Sequence, residues 1–238
     1  MPPSNAIVER TDFEDEIGEE IIVDRIFEAV VEQRLPAGTK LSELALCEAF
    51  GVGRMRIRRA LLLLASREIV DLHPNKGAFV ASPTAEQARE IFEARKVLEP
   101  TIATMAVVRA TTADITSMKK HLAAEFDAQR NGIRRDAIRL SGQFHIMLAQ
   151  IAGNGVMLKM VKELVTRTSL LIGIYGAPGA SNCSDAEHSN IVAAFMAQDA
   201  GKAAVLMHEH LEHILSDLNL ASKSGGSVDL LKLFRKSE

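Results

Sequence analysis

The sequence predicts a mainly α-helical protein, with an N-terminal winged helix-turn-helix followed by an all-α helical bundle. Three observations lead to this prediction. Hydrophobic residues make up 47% of the 238 residues but aromatic residues only 4%, which is typical of helices packed on aliphatic faces. Residues 18–83 have the order helix, helix, turn, helix, hairpin. After residue 81 apolar residues recur at helical spacing, and no strand signal follows.

The elements of the first domain follow from local patterns. An apolar stripe over 19–34 predicts a first helix, which Leu35-Pro36-Ala37-Gly38 ends. Ser42 is a candidate N-cap for a short second helix. The tight turn Gly51-Val52-Gly53 then leads into a third helix over 54–66. Two β-capable runs within 69–81, separated by a Pro/Asn/Gly turn, predict a hairpin.

The rest of the chain is predicted to be helical. Thr84, followed three residues later by Gln87, forms a capping box that opens a helix of about 25 residues. Five more helices are expected at roughly 112–129, 133–152, 155–174, 184–199 and 200–222. We therefore divide the chain into a flexible arm (1–17), a winged domain (18–83), a helical domain (84–222) and a flexible tail (223–238).

Composition and charge place the protein in the cytoplasm. No signal peptide opens the chain, and charges interrupt every apolar stretch before it is long enough to cross a membrane. Two cysteines, Cys47 and Cys183, are too few for a disulfide framework. The net charge of −3 gives no global sign of nucleic-acid binding. We expect a cytoplasmic protein without membrane association.

The third helix of the first domain concentrates positive charge. Residues 54–67 hold five Arg and no acid, and apolar residues occupy the opposite side of the helix. An Arg-rich face at the start of a helix suits the major groove, where Arg binds guanine or phosphate. A solvated basic face is the alternative, but the helix-turn-helix and wing around it favour DNA. The residues expected to contact DNA are Gly53, Arg54, Met55, Arg56, Arg58 and, at the hairpin tip, Lys76 and Gly77.

The same segment resembles the DNA-binding domain of GntR-family regulators. The usual family core is G-V-S-R-T-P-V-R-E-A-L, and the chain matches it at 51–52, at Arg54, at Arg58 and at 60–61. Its non-conservative departures from the core are Gly53 for Ser, Met55 for Thr, Arg56 for Pro and Arg59 for Glu. The resemblance implies a transcriptional regulator, and we expect a repressor that binds a pseudo-palindromic double-stranded DNA operator as a homodimer, with an activator as the open alternative. The departures imply an operator unlike those of its relatives.

The second domain resembles the FCD effector domain of the FadR-like branch, in its smaller VanR-type form. The matching motifs are E-x-R-x-x-x-E at 93–99, Phe144-His145, the segment 187–195 and the segment 207–211. The resemblance implies a metal site formed by His145, His188 and His210, and three imidazoles suit Zn²⁺ or Ni²⁺. Ser141 stands where the family has a metal-binding Asp, which lowers the expected affinity. A three-His site completed by water or an acidic effector, and a cavity that binds its ligand without metal, both stay open.

Arg95 is the expected partner of a small carboxylate effector, because a guanidinium binds a carboxylate with two hydrogen bonds. Its alternative is a buried Arg paired with a nearby Glu. Arg167 and Tyr175 are further candidates for contact with the effector, and the sequence does not decide whether they reach it.

Two other functions compete with the DNA-binding regulator: a metal-dependent enzyme built on the three His, for which Glu187 is a candidate base, and a helical scaffold. Neither explains the Arg-rich helix, and no H-E-x-x-H signature is present.

Overall fold

The computed structural model describes residues 17–176, 185–220 and 228–235. It confirms the predicted fold class, with a winged helix-turn-helix followed by a helical bundle. Residues 1–16, most of the expected N-terminal arm, lie outside the described residues, as does Cys183. In the part of the chain that is described, no helix is both long and apolar enough to cross a membrane.

The winged domain consists of three helices and a small sheet. Its helices are α1 (Glu19–Val31), α2 (Glu43–Phe50) and α3 (Arg54–Ser66), and its strands are β1 (Lys40–Leu41), β2 (Val70–His73) and β3 (Gly77–Val80). Ser42 caps α2 as expected, because its hydroxyl accepts from the Ala45 amide at 3.4 Å. The strands form an antiparallel sheet in the order β1-β3-β2. The two-residue β1 is too short for a sequence pattern to reveal.

The helical domain contains six helices in its described residues. They are α4 (Ala85–Arg109), α5 (Thr112–Arg130), α6 (Arg134–Ile151), α7 (Gly155–Tyr175), α8 (Asp185–Met196) and α9 (Ala200–Ser216). The capping box that opens α4 is formed. The Thr84 hydroxyl accepts from the Gln87 amide at 3.1 Å, while the Gln87 side chain accepts from the Thr84 amide at 2.8 Å. α9 ends at Ser216, six residues before the expected bound of 222.

The segment expected to be a flexible tail forms a further helix. α10 (Leu230–Phe234) packs against α1 and α2 of the winged domain, with Leu230 and Phe234 buried in that domain's core. Phe234 stacks on Phe50 with ring centroids 5.2 Å apart. The expectation of a flexible tail is therefore wrong for residues 228–235. Its short apolar patch lies against α2 because that surface is itself apolar.

Candidate functional site

The N-terminal end of α3 presents its basic face to solvent. Gly53 precedes the helix without a side chain that caps it, and Arg54 and Met55 are exposed. Arg58 is exposed as well, and its Nε lies 3.0 Å from both carboxylate oxygens of Glu43 on α2. Exposed ion pairs are weak, so this contact orients the guanidinium without preventing an exchange of Glu43 for a phosphate.

Two of the arginines on α3 lie toward the N-terminal part of the domain. Arg56 is only partly exposed, and its Nη1 donates to the Ile17 carbonyl at 3.3 Å. Arg59 lies 3.5 Å from the carboxylate of Glu19 on α1. Arg56 was expected to contact DNA with its neighbours, but the structure turns its guanidinium toward the protein backbone.

The wing is a tight hairpin whose tip is exposed. Asn75 has φ of 61° and Gly77 has φ of 99°, two left-handed conformations that allow the chain to reverse between β2 and β3. The Lys76 amide donates to the His73 carbonyl at 3.1 Å, while the Lys76 side chain is exposed. The hairpin therefore presents one cation at its tip, as expected for a wing.

Three buried histidines from three helices converge in the helical domain. His145 lies on α6, His188 on α8 and His210 on α9, and each is at most 3% exposed. Nε2 of His210 lies 3.1 Å from Nε2 of His188 and 3.3 Å from Nε2 of His145. Phe144 packs flat on the His188 ring at 4.1 Å, which explains why Phe precedes His145 in the motif on α6.

A carboxylate holds the far side of each imidazole. Nδ1 of His145 lies 2.5 Å from Glu99 on α4. Nδ1 of His188 lies 2.9 Å from Glu125 on α5. Nδ1 of His210 lies 2.7 Å from Glu187 on α8, which also binds the exposed His213. Because a carboxylate accepts hydrogen bonds, each Nδ1 donates a proton and each Nε2 is left with its lone pair.

Burial keeps two of these histidines neutral. It lowers the pKa of His145 to about 4, although Glu99 acts in the opposite direction. Burial, with the neighbouring His188, lowers the pKa of His210 to about 3. Burial alone raises the pKa of Glu99, but Arg95 and His145 outweigh it and lower that pKa well below the ordinary value. Near neutral pH His145 and His210 are therefore neutral imidazoles, the form that binds metals.

The donor set fits a divalent metal ion. Two nitrogens bound to one Zn²⁺ at about 2.0–2.1 Å lie about 3.3 Å apart in tetrahedral geometry. The two Nε2–Nε2 distances, 3.1 and 3.3 Å, agree with that separation. All three histidines offer ring nitrogens within 4.8 Å of one another. Converging lone pairs repel each other, and a shared cation removes that repulsion.

Arg95 lies beside the histidines but is already paired. Its Nε lies 2.5 Å from Glu99, so the alternative of a buried Arg–Glu pair is present in the structure. Its Nη2 is buried and has no hydrogen-bond partner among the described residues. Ser141 is buried on α6, one helical turn before His145. One buried donor of Arg95 therefore stays available to an acidic ligand.

The carboxylates behind the imidazoles are candidate functional residues to which the sequence alone did not assign this position. From the sequence, Glu99 is predicted only as part of a family motif, and Glu187 only as a candidate base. Glu125 received no role, although it continues an apolar stripe on α5 at helical spacing from Met118 and Leu122. An acid on a buried helix face is the signal that would have found it.

The two undecided candidates, Arg167 and Tyr175, lie between the domains. Arg167 pairs with Glu68 of the winged domain and with Glu163 on its own helix. The Tyr175 hydroxyl donates to the Pro83 carbonyl in the link between the domains at 2.5 Å. Both side chains therefore hold the domains together, away from the histidines.

Comparisons with protein families account for most of the chain. A family model described as "Bacterial regulatory proteins, gntR family" matches residues 19–80. A second model, the FCD domain, matches residues 90–213, more than half of the chain.

Known proteins similar to the chain are transcriptional regulators. The Uxu operon regulator of Haemophilus influenzae is 26% identical over 196 residues, covering 74% of this chain and 73% of that protein. The HTH-type transcriptional repressor RspR of Escherichia coli is 25% identical over 192 residues, covering 78% and 82%. Neither is an enzyme by name, and the enzyme alternative finds no support.

Solved structures share the fold. Escherichia coli McbR/YncC superposes with a TM-score of 0.67 at 20% identity, covering 84% of this chain and 96% of that one. A putative GntR transcriptional regulator from Rhodococcus gives a TM-score of 0.70 at 19% identity, covering 83% and 95%.

Proposed function

The chain belongs to the GntR family of bacterial regulatory proteins and carries an FCD domain, and from this premise we propose that it is a metal-dependent repressor controlled by a small carboxylate. That it is a DNA-binding transcriptional regulator and not an enzyme follows from the family. The repressor, metal and effector assignments are our proposals. The repressor assignment is supported by the similarity to RspR, and the metal and effector assignments by the convergence of three buried Nε2 atoms, each on an imidazole held by a carboxylate.

His145, His188 and His210 would hold the metal through Nε2. When bound, the metal would supply a positive charge and open coordination positions for an oxygen ligand. Glu99, Glu125 and Glu187 would fix the orientation of the three rings, as carboxylates behind metal-binding histidines do. Ser141 supplies no charge to this site, so these carboxylates provide the negative charge that the family's Asp would bring.

The effector would bind beside the metal with Arg95 as a second anchor. Its carboxylate would receive a hydrogen bond from Nη2, the buried guanidinium nitrogen without a partner among the described residues. The cavity of about 220 Å³ between α5 and α8 lies on the opposite side of His188, beside Glu125 and Nδ1, so it is not where this carboxylate would bind.

The DNA would be bound by α3 and the wing of each subunit in a homodimer. Arg54 and Arg58 are exposed at the start of α3, and Lys76 is exposed at the tip of the hairpin. Gly53, Met55 and Gly77 would allow close approach to the DNA, whereas Arg56 would support the helix from the protein side. Two recognition helices in successive major grooves require half-sites about one helical turn apart.

Salt-dependent binding to the promoter next to its own gene tests the DNA proposal. Removing one phosphate contact weakens binding and lowers the slope of log Kd against log salt by about 1 per contact. We expect this for Arg54→Ala and Arg58→Ala, and no change for Arg67→Ala, which removes the same charge from the other end of α3. Equal affinities of all three variants and the wild type would show that DNA binds elsewhere.

Calorimetric titration with ZnCl₂ and NiCl₂ tests the metal proposal. We expect His210→Gln to lose one of three metal-binding nitrogens and to weaken binding by at least tenfold. His208→Gln is the matched control, because His208 lies two residues away on the same helix and its side chain is 51% exposed. If the two variants bound the metals alike, the three-His site would be excluded.

A further inference from the structure

The guanidinium of Arg134 joins helices that belong to the two domains. Its Nε donates to the carbonyl of Val31, the last residue of α1, at 3.2 Å. Its Nη2 donates to the carbonyl of Ile172 at 2.8 Å and lies 3.4 Å from that of Gly176, both at the end of α7. Helix C-termini carry partial negative charge, so a cation stabilises both ends together, although the Ile172 carbonyl also accepts from the Gly176 amide.

The two helix ends are in backbone contact at this joint. A Cβ atom on Gly173 would lie 2.9 Å from Cα of Val31, so only Gly allows α1 and α7 to approach this closely. The Gln33 side chain donates to the Gly176 carbonyl at 2.9 Å and adds a second link between the domains. Such tight packing transmits displacements instead of absorbing them.

One helix connects this joint to the three-His site. Arg134 is the first residue of α6, and His145 lies on the same helix eleven residues later. At 1.5 Å per residue this is about 16 Å along the helix axis. No proline interrupts α6, so a displacement at His145 moves Arg134 with it.

We propose that Arg134 is the positioning residue that couples the three-His site to the DNA-binding domain. The proposal rests on the proposed metal site. When the metal ties the three imidazoles together, α6 is held against α8 and α9, and Arg134 extends this restraint to the end of α1. α1 shares its buried face with α3, including Ile22, Ile26 and Ile57, so the recognition helix is restrained with it. The planar guanidinium suits this role because it holds carbonyls of both helices at once.

Hydrogen–deuterium exchange of the full-length protein, with and without ZnCl₂, tests the coupling. In the wild type we expect Zn²⁺ to slow exchange in α6 and also in the last turn of α1, there by about fivefold or more. In Arg134→Met, Zn²⁺ is expected to slow exchange in α6 while α1 no longer responds, with the Zn²⁺ affinity within about twofold of wild type. Arg139→Met is the control, because Arg139 lies on α6 and, among the described residues, its ion pair is with Asp136 of the same helix.

Each outcome distinguishes the coupling from the proposed function. Arg134→Lys keeps the charge but donates from one nitrogen, whereas Nε and Nη2 of Arg134 reach the two helix ends separately, so it should restore only part of the α1 response. If α1 responds equally to Zn²⁺ in Arg134→Met and wild type, or fails to respond in wild type while α6 does, the coupling is refuted. If Zn²⁺ slows exchange in neither helix, the proposed function fails and the coupling fails with it.

Discussion

The C-terminal helix α10 is predicted to stabilise the winged domain, and Phe234→Ala measures by how much. Phe234 is 2% exposed and stacks on Phe50. The Arg25 guanidinium lies 5.0 Å from the Phe50 ring and donates to the Phe234 carbonyl at 2.7 Å. Burial of a Phe side chain contributes about 1.5–3 kcal/mol, and an aromatic pair adds about 0.5–1.5 kcal/mol. The released segment regains conformational freedom, which offsets part of the loss. We therefore expect the free energy of unfolding to fall by about 2–3 kcal/mol.

Differential scanning calorimetry of the full-length protein is the appropriate assay. For a domain of this size 1 kcal/mol corresponds to about 4–8 °C, so the transition of the winged domain should drop by roughly 10–20 °C. Lys232→Ala is the matched control, because Lys232 lies on the same five-residue helix and is exposed. The reasoning fails if both variants melt within about 2 °C of the wild type, since α10 would then contribute no stability.

Three further predictions concern the site. First, the free energy of unfolding of the metal-free protein should fall as the pH drops from about 6.5 to 4, by up to about 2.7 kcal/mol per pH unit. The pKa values of His145 and His210 are lowered to about 4 and about 3 in the folded state, so the unfolded chain binds more protons in this range. Denaturant titrations at several pH values measure this, and a flat profile would contradict it. Second, Glu125→Gln should weaken Zn²⁺ binding about 10–100-fold in a chelator competition, whereas the exposed Glu212→Gln should not. Third, any organic acid that raises the melting temperature of the metal-loaded wild type should lose this effect in Arg95→Gln; an unchanged shift would place the effector elsewhere.

The fold was predictable from the sequence because its signals are local. Apolar residues at helical spacing, the Thr84 capping box and the turn before Gly77 each depend on a few neighbouring residues. The structure differs from the prediction where contacts between residues distant in sequence determine whether a segment is ordered. α10 is a five-residue segment with four apolar residues, and whether it is ordered depends on the surface of α2, more than 170 residues earlier in the chain.

The candidate site was also predictable only in part. The family motifs identified the three histidines, but their hydrogen-bond partners are distant in sequence: Glu99 is 46 residues from His145, and Glu125 is 63 residues from His188. The spacing of residues along the sequence does not show which residues on different helices are in contact, because that depends on the topology of the fold. Arg95 is the opposite case. Its partner Glu99 is only one helical turn away, so the sequence could predict the Arg–Glu pair as the alternative to an effector-binding role.

The carboxylates change what the Ser at position 141 implies. The sequence comparison alone predicts a weakened site, because Ser141 brings no negative charge. In the structure Glu99, Glu125 and Glu187 lie directly behind the three imidazoles, while Arg95 contributes one positive charge. Negative charge that is transmitted through imidazole raises its basicity toward a metal without occupying a coordination position. Under the proposed function, the effector would then supply the ligand that Ser141 does not, and metal binding would depend on the acidic effector.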